Sequence, residues 1–100
     1  MYSRAGEFCI DLVAFDADGT PHRRNPTLLA GHADFGAAPL LAGSDHWRQG
    51  PSMAILRHHM GALAEYACSE TGAASVEVTL HERVLGGTER TTTRRRGCVR

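Results

Sequence analysis

The chain has no lysine and no C-x-x-C pair, and its apolar residues never run on for the roughly 20 positions that span a bilayer. The opening stretch, MYSRAGEF, also lacks the apolar run of a signal peptide, so a cytoplasmic setting is expected. Cys9, Cys68 and Cys98 are odd in number and far apart. That spacing gives neither a disulfide framework nor a zinc ribbon, so reduced, buried thiols are expected. Neither charge is in excess. The 11 basic residues, all arginine, stand against 11 acidic ones, so net charge selects no nucleic acid and no acidic partner. The exception is local. Residues 86–100 carry Arg90, Arg94, Arg95, Arg96 and Arg100 against Glu89, with no aromatic residues between them. They read as a solvated strand face with a frayed tail over 96–100, rather than a nucleic-acid patch.

What is present suffices for one core. With 42% hydrophobic content, the 100 residues make a single small domain or a piece of a larger one. Residues 7–16, EFCIDLVAFD, alternate as a strand: Phe8, Ile10, Leu12 and Ala14 share one face, and Cys9, Asp11, Val13 and Phe15 the other. Apolar residues on both faces predict cover on both sides. Asp16 to Pro21 is dense in turn formers, and a second strand over about 26–32 would complete a hairpin. Pro51 suits the first position of a helix. Met53, Leu56, Met60, Leu63, Ala64 and Ala67 then recur at steps of three and four, and Gly72 suits the C-cap, so one main helix is expected over about 51–71. Val76, Val78 and Leu80 alternate with Glu77, Thr79 and His81. Gly86-Gly87 marks a turn, and Thr88–Arg95 can return as an edge strand. The expected fold is a small α/β domain with a mixed sheet, that helix and a C-terminal β-hairpin.

Residues 25–51 carry the densest chemistry. The apolar run Leu28-Leu29-Ala30 leads into Gly31-His32-Ala33-Asp34, and a loop with Asp45, Trp47 and Pro51 follows. At a strand end, side chains two apart point the same way. Asp34 could then hold one nitrogen of the His32 ring and leave the other free to bind metal or move a proton.

This segment resembles the first metal-site motif of the M20 family of zinc metallopeptidases and amidohydrolases. Two later stretches resemble the same family in order: His58-His59-Met60-Gly61-Ala62-Leu63-Ala64, and Leu80-His81-Glu82-Arg83-Val84-Leu85-Gly86-Gly87. The resemblance implies a fold like the N-terminal part of a zinc-peptidase catalytic domain. It implies zinc as cofactor, with His32 and His58 as metal ligands, Asp34 orienting His32, and Glu82 as the base that deprotonates a metal-bound water. The substrate it implies is a small peptide or an N-acyl amino acid. Two positions depart from the pattern. His58 replaces a bridging carboxylate and brings no negative charge, and Arg83 stands where a ligand Glu is expected and cannot ligate. The resemblance therefore implies a fragment or a decayed relative with weak or no activity, and at most weak zinc binding that depends on His32.

Two other readings stand beside it. Leu12 to Thr20, LVAFDADGT, resembles the first motif of the haloacid-dehalogenase phosphatases, which implies Asp16 as nucleophile and Asp18 as acid and base. That family also requires a later lysine, which this chain lacks. The third reading is a non-catalytic α+β interaction module that binds a partner through exposed strand edges or its basic C-terminal segment. Each singled-out residue also has a structural alternative: His32 satisfied by Asp34 alone, His58 facing solvent, Glu82 a surface carboxylate beside Arg83.

Overall fold

Alternation over the first strand builds the centre of the sheet. In the computed structural model, which describes residues 6–32, 41, 43–50, 54–84 and 89–98, β1 spans Gly6–Phe15. Phe8, Ile10, Leu12 and Ala14 are buried, as their spacing predicts. The turn after it is closed by two backbone hydrogen bonds, Gly19 N–H to Asp16 O (2.9 Å) and Asp16 N–H to Thr20 O (3.0 Å). Gly19 takes a positive φ of 90°, which a side chain would oppose. The chain returns as β2 (Pro21–Arg24), antiparallel to β1.

The second strand is therefore shorter and earlier than expected, and residues 26–32 are not a strand. They form a 3-10 helix, Pro26–His32. Asn25 starts it: its side-chain oxygen accepts the Thr27 N–H (2.9 Å), while its carbonyl accepts the Leu28 N–H (3.2 Å). Proline at the first helical position fixes φ where no donor is needed. Leu29 is fully buried in the core, with Leu28 and Ala30 packed beside it, a pattern without period 2.

The expected single helix over 51–71 is divided. α1 is Ala54–His58 and α2 is Met60–Thr71. Between them His59 sits at φ −112°, ψ 19°, with its N–H bonded back to Leu56 O at 3.1 Å, an i to i−3 closure that interrupts the α-helical ladder. Residues 51–53, and with them Met53, lie outside the described residues. The stripe holds across the break: Leu56, Met60, Leu63, Ala64 and Ala67 are all buried. Gly72 closes α2 in the left-handed region (φ 65°), its N–H on Cys68 O.

β4 (Ser75–Val84) pairs with β1 along its whole length, and β5 (Glu89–Gly97) pairs with β4. A short β3 (Arg48–Gly50) pairs with the start of β1. The strand order is β2-β1-β4-β5, and every pairing among the described residues is antiparallel, where a mixed sheet was expected. The result is a small α/β domain in two layers, with α2 as its main helix and a C-terminal β-hairpin. Phe8, Ile10, Leu12, Val76, Val78 and Leu80 of the sheet meet Leu56, Met60, Leu63 and Ala67 of the helices. On the other face of β1, the described residues add side-chain cover such as Arg95 over the Phe15 ring at 4.9 Å, and no second layer among them. None of the described helices is long and apolar enough to cross a membrane.

Two cysteines also depart from expectation. Cys68 of α2 and Cys98, just past β5, form a disulfide across 30 residues of sequence, leaving Cys9 as the free thiol. The C-terminal segment is accordingly less free than expected: Arg96 and Gly97 belong to β5 and Cys98 is tethered, while residues 99–100 lie outside the described residues.

Candidate functional site

Of the residues expected to form a metal centre, His58 and Glu82 have described side chains. His32 closes the 3-10 helix, and Asp34, with the His32 side chain, lies outside what is described. His58 is the last residue of α1 and is exposed. Glu82 points to the helix side of β4, where its Oε2 lies 3.5 Å from Arg57 Nε and its side chain is 12% exposed. Neither of these two atoms has a hydrogen-bond partner among the described residues, so Glu82 is held by a long ion pair. A carboxylate occupied by arginine is poorly placed to take a proton from water. Arg83 donates from Nε to Glu7 (2.7 Å) and lays its guanidinium over the Trp47 ring at 3.9 Å. Among the described residues no group of three or more His, Cys, Asp or Glu side chains could hold a metal ion. The residues described do not fit a two-zinc centre. Calorimetric zinc titration is expected to give the same weak or absent binding in wild type and His32→Ala. Stoichiometric submicromolar binding lost in His32→Ala would restore the metal centre.

The aspartates of the phosphatase-like motif serve the turn. Asp18 accepts the Thr20 N–H at 3.0 Å, and Asp16 pairs with the His22 ring at 2.8 Å. The Thr20 hydrogen bonds hold the Asp18 carboxyl below the usual carboxylate range, the wrong direction for a group that must donate a proton.

A polar cluster on the open face of the sheet was not foreseen. Asp11 of β1 accepts from Arg23 of β2 and pairs with the His81 ring of β4 at 2.8 Å. The other His81 nitrogen faces Glu89 of β5 at 3.5 Å. Trp47 lies beside them, its ring centroid 6.5 Å from that of His81. These groups, with Asp45, line an open concavity of about 360 Å³. Cys9 lies opposite His81 across the ladder, but burial and then the Asp11 and Glu89 charges push its thiol up, so it is no activated nucleophile. The cluster ties four strands together through side-chain contacts. Its only sequence signal was polar residues at every second position, Glu7-Cys9-Asp11 and Thr79-His81-Arg83, which becomes informative once the register of β1 on β4 is known.

Asp11 should make this cluster sensitive to acid. Burial acts to raise its carboxyl, but the hydrogen bonds and charges of Arg23 and His81 outweigh it and hold the group below the usual range. A depressed folded value stabilises the fold above the unfolded carboxylate value, near 3.9, and that stability is lost as pH falls through the folded value. Urea unfolding of Asp11→Asn is expected to show a loss of about 1 kcal/mol at pH 7 for this half-exposed group, shrinking toward zero below about pH 4. A loss that stays constant down to pH 2 would contradict this reading of the cluster.

The remaining feature is the free edge of β5. One side of the sheet ends in two short strands: β2 (four residues) and β3 (three residues) cover the two ends of β1, and the Ile10 N–H between them is taken by Ser44 O at 2.7 Å. On the other side β5 pairs only with β4 among the described residues, and eight of its nine residues are exposed. Its cross-strand partners sort its side chains. Arg90, Thr92, Arg94 and Arg96 stand opposite Glu82, Leu80, Val78 and Val76, on the helix side. Arg96 reaches Glu65 of α2 at 3.9 Å, an exposed and weak contact. Thr91, Thr93 and Arg95 stand on the open face, where the Thr93 hydroxyl meets that of Thr79 at 3.2 Å.

No protein-family model matches the chain, and neither the curated proteins nor the solved structures include a match to it.

Proposed function

We propose that this chain is a non-catalytic interaction module that takes up an extended, acidic segment of a partner protein as an added strand on β5. The observation that carries this reading is the outer edge of the nine-residue, arginine-rich β5, which is unpaired among the described residues. Such an edge offers a row of backbone donors and acceptors to any extended chain. Natural edges of this length are commonly shielded by charge, and the arginines of β5 do shield it against copies of itself. In the antiparallel pairing centred on Thr93, Arg90 of one copy would face Arg96 of the other, and like charges directly opposite are unfavourable. An acidic segment turns the same arginines into attraction. Single-stranded nucleic acid is the weaker occupant, since no aromatic side chains interleave with these arginines to stack bases.

The hydrolase implied by the M20 resemblance would require Glu82 to be released from Arg57, and the phosphatase would require Asp16 and Asp18 to leave their turn contacts. Neither draws support from these contacts. As to location, a disulfide between Cys68 and Cys98 fits an oxidising compartment better than the cytoplasmic setting expected from the sequence.

Fluorescence anisotropy with a labelled acidic peptide of extended, threonine-rich sequence tests the reading. Binding in the micromolar range is expected at low salt. The same peptide N-methylated at alternate residues keeps its charge but loses ladder donors, and should bind at least about tenfold more weakly. Equal binding of both peptides, or tighter binding of a single-stranded oligonucleotide, would overturn strand addition.

A further inference from the structure

The two sides of β5 carry different chemistry, and an added strand must match them residue by residue. A strand alongside β5 would lie about 4.8 Å away with its own side chains alternating between the same two sides. Residues directly opposite have Cβ atoms about 5 Å apart, within reach of an arginine–carboxylate pair. On the helix side β5 presents Arg90, Thr92, Arg94 and Arg96, where burial of Leu80, Val78 and Val76 fixes the direction. Among the described residues Arg90 and Arg94 have no ion pair, and Arg96 has only its 3.9 Å contact with Glu65. On the open side β5 presents Thr91 and Thr93, with Arg95 lying over Phe15.

Resting on the strand-addition reading, we infer that the segment taken up carries carboxylates on one side of its strand, in the pattern acid-x-acid-x-x-x-acid. Antiparallel to β5, the first acid meets Arg96, the second Arg94 and the last Arg90; the position opposite Thr92 takes a neutral residue. The intervening residues face Arg95, Thr93 and Thr91 of the open side and are neutral and β-forming. Specificity then lies in which side of the strand is acidic, beyond the total charge of the segment. A carboxylate placed on the open side would find only Arg95, already stacked on an aromatic ring.

Charge reversal at two adjacent positions separates side from net charge. Arg94→Glu and Arg95→Glu change the protein by the same charge, one residue apart, on opposite sides of the sheet. With the peptide Glu-Thr-Glu-Thr-Val-Thr-Glu, Arg94→Glu is expected to weaken binding by at least about tenfold, and Arg95→Glu by less than about threefold at the same ionic strength. Replacing the middle Glu of the peptide by Lys should recover binding to Arg94→Glu and weaken binding to wild type. Arg94→Gln, checked by thermal unfolding, serves if the reversal impairs folding, with an intermediate loss expected. Equal losses at the two positions, or no recovery with the Lys peptide, would overturn the alternation while leaving strand addition standing, provided N-methylation still abolishes binding. If N-methylation has no effect, strand addition itself fails.

Discussion

Reduction of the Cys68–Cys98 disulfide should lower the stability of this domain by roughly 3–4 kcal/mol, the closure entropy expected for a loop of this length. The bond spans 30 residues, from α2 through β4 and the hairpin to the end of β5. β5 also runs alongside α2, but eight of its nine residues are exposed. It contributes no residue to the buried core, only Thr92 is half-buried, and its ion pair to α2 is the exposed Arg96–Glu65 contact. Beyond the β4 ladder, the attachments at its end are the disulfide and the Cys98 N–H on Ala74 O at 2.8 Å. A domain of this size has a total stability of about 5–15 kcal/mol, so the loss is a large fraction of it. Urea unfolding with and without a reducing phosphine, and of Cys68→Ser/Cys98→Ser, measures it. Both are expected to shift the midpoint by the same amount. A shift worth less than about 1 kcal/mol would mean that the disulfide constrains little.

The second large effect is expected at Arg57. Its Nε and Glu82 Oε2 are both buried without hydrogen bonds and lie 3.5 Å apart. Such a pair contributes little net stability, because desolvation of both ions offsets their attraction. Removing one member is different, since it takes from a carboxylate that is only 12% exposed the one ion pair it makes among the described residues. Arg57→Met should therefore cost about 2–3 kcal/mol, with Arg57 itself partly exposed and the full buried-pair figure discounted for that. Arg57→Met/Glu82→Leu should recover most of the loss, because two apolar side chains of similar volume suit that position between α1 and β4. A double variant as unstable as the single one would mean that Glu82 makes a contact of its own, and would reopen the case for a role in chemistry.

The parts of the fold that were legible are those where one periodicity ran unbroken. Phe8 to Ala14 and Val76 to Leu80 announced β1 and β4, and the Leu56–Ala67 stripe announced the helix. Register was not legible. Period 2 says which side chains share a face but not which face them from the next strand, so the Asp11–His81–Glu89 cluster was invisible until β1 lay on β4. The strand expected over 26–32 failed because local capping at Asn25-Pro26 won over apolar content, and because β2 had already paired with β1. The disulfide was unreadable because Cys68 and Cys98 approach only when the hairpin folds back along α2. The GHxD spacing, though a specific-looking string, carries its meaning only at a strand end, and His32 closes a 3-10 helix. The arginines of the last strand were legible as a basic segment. Their division between two sides was not, because it depends on the pairing of Arg94 with Val78 and of Arg95 with Glu77.

Whether β5 accepts another strand is read by amide NMR of the oxidised protein titrated with the acidic threonine-rich peptide. Strand addition predicts cross-strand nuclear Overhauser contacts between peptide backbone protons and those of residues 89–97, with alternate β5 amides gaining protection from exchange. Amide shifts scattered over the arginine side of the domain, without backbone contacts and without new protection along β5, would contradict it.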